Sequence, residues 1–421
     1  MLLLKNGTFI NRQTPDFIRK DVLVEEGING RIIIGPAPDQ TAGSRSIDCS
    51  GKYITKSFAC GHHHAYSALA RGMGAPKKEP ASFNEILQYV WWTLDKALDA
   101  DIIRSCAMVT AIACAKNGVT FVIDHHASPF AVEGSLQIIA EAFDAAGVGL
   151  LPCYEISDRD GTDIAAKGLN ETAAFLSGHQ GLVGLHASFT VGDDTLKRAV
   201  RLAEQTGSGI HVHVAEARSD QEHCLKNYGK RVIERFAGAG VLQFPKTILA
   251  HCLHLDDHER ALVAGSPAWV VENMESNLNN SVGLFDAQGL GDRIMLGTDG
   301  MHSDMLQSAK SAFLAGKNSD APGFEETCRR FRNVHRYLDE NHFDGDGDNN
   351  LVVLDYDPPT PFGSDNFFGH FLFGIESRHV EHVISQGKVI VENRKIVTVD
   401  ETEIMKEARC QAGRLWKRME S

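Results

Sequence analysis

From residue 53 to about residue 300 the chain alternates short apolar runs with stretches of helical period, and that alternation leaves few folds open. The apolar runs fall at 53–60, 119–123, 148–153, 182–185, 209–214, 247–250, 268–271 and 293–296. Helical stretches lie between them, at 101–116, 131–146, 163–176, 194–205 and 230–237 among others. Eight strands separated by helices predict a parallel (β/α)8 barrel of the TIM type, whose active site lies at the C-terminal strand ends. Such a barrel takes about 250 residues, so 421 residues leave room for a smaller second unit. Short strands supply it at both ends. Leu2–Lys5 and Thr8–Ile10 predict a hairpin around Asn6-Gly7, and 22–24 and 31–34 flank a turn at Gly27-Ile28-Asn29-Gly30. Near the other end, 351–355 reads as a strand, and 380–385 and 388–392 as a pair around Gln386-Gly387. Residues 303–340 read as polar helix and 402–420 as a closing amphipathic helix. The expected organisation is a barrel over 53–350, with a small β-sandwich domain built from 1–52 and 351–421.

Charge and cysteine usage exclude several classes. The formal net charge is −13, which does not suit DNA, RNA or an anionic membrane, and no basic stripe with interleaved aromatics offsets it. No window approaches a membrane span. The nine cysteines are scattered, odd in number and without a C-x-x-C pair, as expected of a reduced cytoplasmic protein with thiols in its core. The apolar run in Met1-Leu2-Leu3-Leu4-Lys5 is too short for a signal peptide.

The chemistry concentrates at the ends of the strand candidates. Phe58-Ala59-Cys60-Gly61-His62-His63-His64 runs an apolar strand into histidines. Side chains alternate along a strand, so His62 and His64 share a face and His63 points away. Two converging imidazoles make half of a metal site. His213 ends a later strand in His211-Val212-His213-Val214-Ala215-Glu216. His211 shares its face and competes for the ligand role; His213 is favoured because it is nearer the strand end and Glu216. Hydrolysis needs a proton carrier that is not itself a ligand, and Glu216 is placed for that. His251 directly follows the 247–250 strand, where a histidine can orient water or stabilise developing charge. Asp299, in Gly297-Thr298-Asp299-Gly300, follows the last strand and can bind a metal through one oxygen and accept a proton through the other. The fourth strand runs Gly184-Leu185-His186-Ala187-Ser188 without the lysine that usually bridges two metals, so one divalent ion is expected.

Asp344-Gly345-Asp346-Gly347-Asp348-Asn349-Asn350 looks like the opening of a calcium loop. Its sixth position is Asn349 rather than glycine and its twelfth Asp355 rather than glutamate, so a solvated turn is the better reading.

The order His-x-His, His-x-x-Glu, His, Thr-Asp resembles the amidohydrolase superfamily, in its mononuclear aminohydrolase branch with cytosine, guanine and triazine hydrolases. The resemblance covers nearly the whole chain. His63-His64-Ala65-Tyr66-Ser67-Ala68-Leu69-Ala70-Arg71-Gly72-Met73, Asp124-His125-His126-Ala127-Ser128-Pro129 and Glu155-Ile156-Ser157-Asp158-Arg159-Asp160-Gly161 are similar to the SsnA group of aminohydrolases, as are Ser276-Asn277-Leu278-Asn279-Asn280 and Leu296-Gly297-Thr298-Asp299-Gly300-Met301. The resemblance implies zinc or iron, often a homodimer, metal ligands His62, His64, His213 and Asp299, and a catalytic pair Glu216 and His251. His186 matches a position that touches substrate in related deaminases. Lys56-Ser57 replaces the usual Pro-Gly before the metal strand, and Asn273-Met274 the usual Asn-Pro. Ser67 and Ser188 stand where guanine deaminases carry a glutamine and an arginine, which argues against guanine itself.

The function expected is hydrolytic deamination of an amino-substituted N-heterocycle such as a purine, pyrimidine or pterin, through metal-activated water. Tyr66, Arg71, Trp91 and Trp92 are candidates to stack on or bind a flat ring, and His125 to touch it or support a ligand. Two alternatives share these residues: hydrolysis of a cyclic amide or a halogenated ring, and a metal-bound scaffold without turnover.

Overall fold

The computed structural model describes residues 1–35 and 45–420. Residues 36–44, part of the segment expected to carry short strands, and Ser421 lie outside the described residues.

Eight parallel strands form one sheet in sequence order. We number them β1 (Phe58–His63), β2 (Val119–His126), β3 (Gly149–Ile156), β4 (Val183–Ala187), β5 (Ile210–Val214), β6 (Ile248–His251), β7 (Trp269–Glu272) and β8 (Ile294–Leu296). A parallel bridge between His63 and Asp299 brings the two edges together, so the sheet curls into the expected barrel. Its interior holds Ala59, Phe121, Ile123, Leu151, Ile248, Trp269 and Met295. The helix Phe324–Glu340 closes one end by packing Val334, Tyr337 and Leu338 into this cluster. A second, larger core lies where the outer helices meet the strands.

The terminal segments build two further sheets. One runs Ile32–Ile34, Val22–Val24, Leu2–Lys5, Arg45–Asp48. The other runs Lys395–Ile396, Lys388–Glu392, Val380–Ser385, Leu351–Leu354, Tyr53–Lys56, Thr8–Ile10, Phe17–Arg19. Leu2, Leu4, Val22 and Val24 meet Phe9, Ile54, Val353 and Ile384 between them, as in a sandwich.

Three expectations are corrected here. Leu2–Lys5 and Thr8–Ile10 do not pair as a hairpin: Asn6 takes a left-handed φ of 62°, and the chain crosses from one sheet to the other. Crossing lets both apolar strands face the core between the layers. The run at 53–60 is two strands rather than one. Tyr53–Lys56 pairs with Leu351–Leu354 and Thr8–Ile10 in the terminal sheet, and β1 begins after Ser57. The turn at 344–350 is not solvated throughout. The Asp346 side chain is buried, 2.8 Å from Lys56 Nζ and 2.6 Å from His335 Nδ1. It ties the turn to the strand before β1 and to the helix Phe324–Glu340. Burial works against its charge, but His335 and Lys56 hold the carboxyl well below the usual carboxylate range.

Candidate active and metal site

β1 delivers the first two imidazoles. His62 and His64 alternate onto one face, with ring centroids 4.7 Å apart, while His63 turns away to Ser303, 2.9 Å from its hydroxyl. β5 delivers His213, whose Nε2 lies 3.1 Å from Nε2 of His64. Asp299, just past β8, places Oδ1 3.2 Å from His64 Nε2 and 3.7 Å from His62 Nε2. The seam that brings β1 to β8 needs small residues: a Cβ on Gly61 would lie 2.8 Å from the Leu296 carbonyl, and one on Gly297 2.9 Å from the His62 carbonyl.

Hydrogen-bond accounting shows what this cluster is built to hold. His64 Nδ1 is 2.7 Å from the His125 carbonyl and His213 Nδ1 is 2.8 Å from the His186 carbonyl. Carbonyls only accept, so both Nδ1 atoms carry hydrogen and both Nε2 atoms turn towards the cluster. His62 Nδ1 is engaged by His211 Nε2 at 2.9 Å, and His62 Nε2 is buried without a partner. Three imidazole Nε2 atoms and a carboxylate oxygen thus converge on one point. That donor set fits one divalent cation, with the backbone carbonyls and His211 orienting the ligands from behind. His211, the competing ligand candidate, stands behind His62 rather than in the cluster.

His251 ends β6 with φ 72° and Asp299 follows β8 with φ 52°, both in the left-handed region that non-glycine residues rarely occupy. The strained turns aim both side chains inward. His251 Nε2 lies 3.7 Å from Glu216 Oε2 and 3.7 Å from Asp299 Oδ2, between the two carboxylates. The Glu216 side chain is 13% exposed, and its partial burial together with the nearby charge of Asp299 raises its pKa against the pull of His251. A raised carboxyl keeps its proton longer, which suits a proton donor.

The cavity above is lined by His64, Tyr66, Trp91, Trp92, His186 and Met301 among others, with Glu216, His251 and Asp299 at its floor. Trp91 and Trp92 come from the helical segment Phe83–Lys96, which contains a π-helical stretch at Leu87–Trp91. Such stretches are frequent at functional sites. Trp92 sits 6.1 Å from His186, ring to ring, and its Nε1 is buried without a partner. Burial pushes His186 down to about 4, so it is neutral here. Arg71 is exposed and lies outside the cavity lining; His125 is buried behind it.

Sequence reasoning missed four residues. Asn277 Oδ1 lies 2.8 Å from His251 Nδ1, and Asn280 Nδ2 lies 3.4 Å from Glu216 Oε1. Both sit on the helix Met274–Asn279 or its end, three residues apart, so they share a face. Glu155 lines the cavity, and Arg159 holds it through Nη1 at 2.9 Å. All four lie inside motifs that carry the resemblance, and their spacing was the available signal.

A family model described as the amidohydrolase family matches residues 53–342. The 5-methylthioadenosine/S-adenosylhomocysteine deaminase of Pelotomaculum thermopropionicum is 27% identical, with 99% of each chain covered. A zinc-bound adenosine deaminase of Xanthomonas campestris has the same fold, with TM-score 0.84, 19% identity and 98% of each chain covered. So does the zinc complex of atrazine chlorohydrolase from Arthrobacter aurescens, with TM-score 0.83, 17% identity, 98% of this chain and 100% of that one covered. Among the described residues, no helix is long and apolar enough to cross a membrane.

Proposed function

Because this chain belongs to the amidohydrolase family, we propose that it is a metal-dependent hydrolase that deaminates an amino-substituted N-heterocycle. The observation that carries this reading is the set of three imidazoles with Nδ1 engaged and Nε2 turned inward, closing on Asp299 beside Glu216 and His251. The deaminase named above, alike over its full length, supports the same reaction class.

His62, His64, His213 and Asp299 would hold the ion. Bound there, a divalent cation would supply the activation of water near neutral pH. The second oxygen of Asp299 takes the proton released. Glu216, whose pKa burial raises, donates to the ring nitrogen beside the carbon that bears the amino group, which makes that carbon more electrophilic. His251, fixed by Asn277, stabilises the negative charge that develops on the attacking oxygen. Tyr66 and Trp92 form aromatic wall for a flat ring, and His186 stands neutral at its edge. Ammonia then leaves with a proton relayed from the same carboxyls.

Zinc is the ion proposed, on the ground that three imidazole nitrogens and one carboxylate oxygen match its usual donors; elemental analysis separates it from iron. A cytoplasmic location is proposed from nine free cysteines, eight of them buried. A homodimer is proposed, supported by the exposed aromatic patch of Phe324 and Phe373, centroids 5.7 Å apart and both against Phe313. We also propose that 1–52 with 351–421, joined by the strand Tyr53–Lys56, make one β domain against the barrel; the pairing of Leu351–Leu354 with that strand supports it.

The test is ammonia release by zinc-loaded protein from aminopurines, aminopyrimidines, pterins and aminotriazines. Release from one ring class is the expected result. Silence across the panel with one tightly bound ion per chain overturns deamination in favour of cyclic amides or halogenated rings.

A further inference from the structure

We infer that Glu155 reads the substrate: its free oxygen accepts an N–H that the heterocycle presents on an edge other than the one that loses ammonia. The inference rests on the heterocycle reading above and adds a substrate class to it.

Glu155 lies near the end of β3 and lines the cavity with its side chain 3% exposed. Arg159 Nη1 donates to Oε1 at 2.9 Å, and Arg159 is itself clamped by Asp95 and by Asp160, the latter at 3.1 Å. The guanidinium also lies 5.2 Å from the centre of the Trp92 ring. Oε1 is thereby satisfied and the carboxylate is locked in direction and charge. Oε2 differs. Its neighbour is His125 Nδ1 at 3.4 Å, and that nitrogen has no hydrogen-bond partner. No other hydrogen bond of the described residues reaches this carboxylate, so Oε2 is left without one. A buried carboxylate oxygen is costly when unpaired. The group that completes it has to bring a hydrogen, and Glu155 lines the cavity where the ring would sit.

Because Oε1 is taken, the contact is a single charge-assisted N–H···O bond. It favours rings with an exocyclic amine or ring N–H at that edge, as in 2-amino-substituted purines, pterins and diaminopyrimidines. It rejects rings that offer a lone pair there, since two acceptors then meet without water. A site built to bond one donor discriminates strongly against the analogue that lacks it.

The test is equilibrium binding of matched ligands to the zinc-loaded protein, 2-aminopurine against purine and 2-aminopyrimidine against pyrimidine. Binding needs no turnover. The expected result is tighter binding of the amino member by at least about tenfold, a modest demand for a charge-assisted bond. Glu155→Gln is expected to erase the preference without changing zinc content. Should that variant fold poorly, Glu155→Asp keeps the charge opposite Arg159 and withdraws the oxygen, with the same loss expected. A preference that survives both substitutions overturns the assignment, and so does wild-type protein that prefers neither member of either pair or binds neither. Preference without ammonia release sinks deamination and leaves Glu155 standing. Ammonia release without preference does the reverse.

Discussion

His251 and Asn277 form one unit: the imidazole Nδ1 is 2.8 Å from the carboxamide Oδ1, and this leaves Nε2 facing Glu216 and Asp299. The carboxamide oxygen accepts, so it fixes both the tautomer and the tilt of the ring. Asn277→Ala is expected to lower ammonia release ~10–100-fold, the usual cost of losing a partner that orients a functional histidine. Zinc content measured on the same sample stays at the wild-type value. Loss of zinc in step with activity counts against this role.

Glu216→Gln keeps the volume and removes the transferable proton. Turnover is expected to fall by ~10²–10⁴, the range for positioned proton transfer, with the ion retained. Full activity in this variant removes Glu216 from the mechanism.

Gly297→Ala tests the barrel seam. The new Cβ would lie 2.9 Å from the His62 carbonyl and against the Asn273 carboxamide, pushing β1 away from the last strand. His62 and Asp299 then no longer share one ion. The variant is expected to elute with less than stoichiometric zinc while keeping its far-ultraviolet circular dichroism.

Much of this was legible before any coordinates. The barrel follows from eight strands in alternation with helices, and His62, His64, His213, His251 and Asp299 from their places at strand ends. Side-chain direction was not legible. Arg71 and Trp92 are equally plausible ring binders on paper, yet only the tryptophan faces the cavity. The helical segment Phe83–Lys96 carries aromatic and β-branched residues that weaken a helical pattern, and its π-helical stretch breaks the 3.6 period altogether. The two-strand nature of 53–60 was hidden because both halves are apolar, and only the distant partner Leu351–Leu354 separates them.

Acid lability follows from buried neutral histidines. Burial pushes His126 down to about 3, with Glu155 opposing only in part, and its Nδ1 has no partner that would reward protonation. The unfolded chain takes up that proton near pH 6.5 while the folded chain refuses it until about 3. Stability is therefore complete above pH 6.5 and falls as pH drops towards 3, by about 1.4 kcal/mol per pH unit for this one residue. Urea midpoints at pH 7.5, 6.0 and 5.0 measure the slope, on the order of pH steps that sample this window. His126→Gln is expected to flatten it, and an unchanged slope shows that other groups carry the effect.

Asp346→Asn leaves Lys56 buried without its counter-charge. Breaking one half of a buried pair costs about 3–5 kcal/mol, read as a lower urea midpoint. A midpoint within experimental error of wild type means that the tether does not hold the turn.

That tether also orders events during synthesis. Every side chain proposed to hold the ion has left the ribosome soon after Asp299, but the strand Tyr53–Lys56 that positions β1 waits for Leu351–Leu354 and Asp346. A chain halted between Asp299 and Leu351 therefore holds every proposed ligand without the strand partner that positions β1.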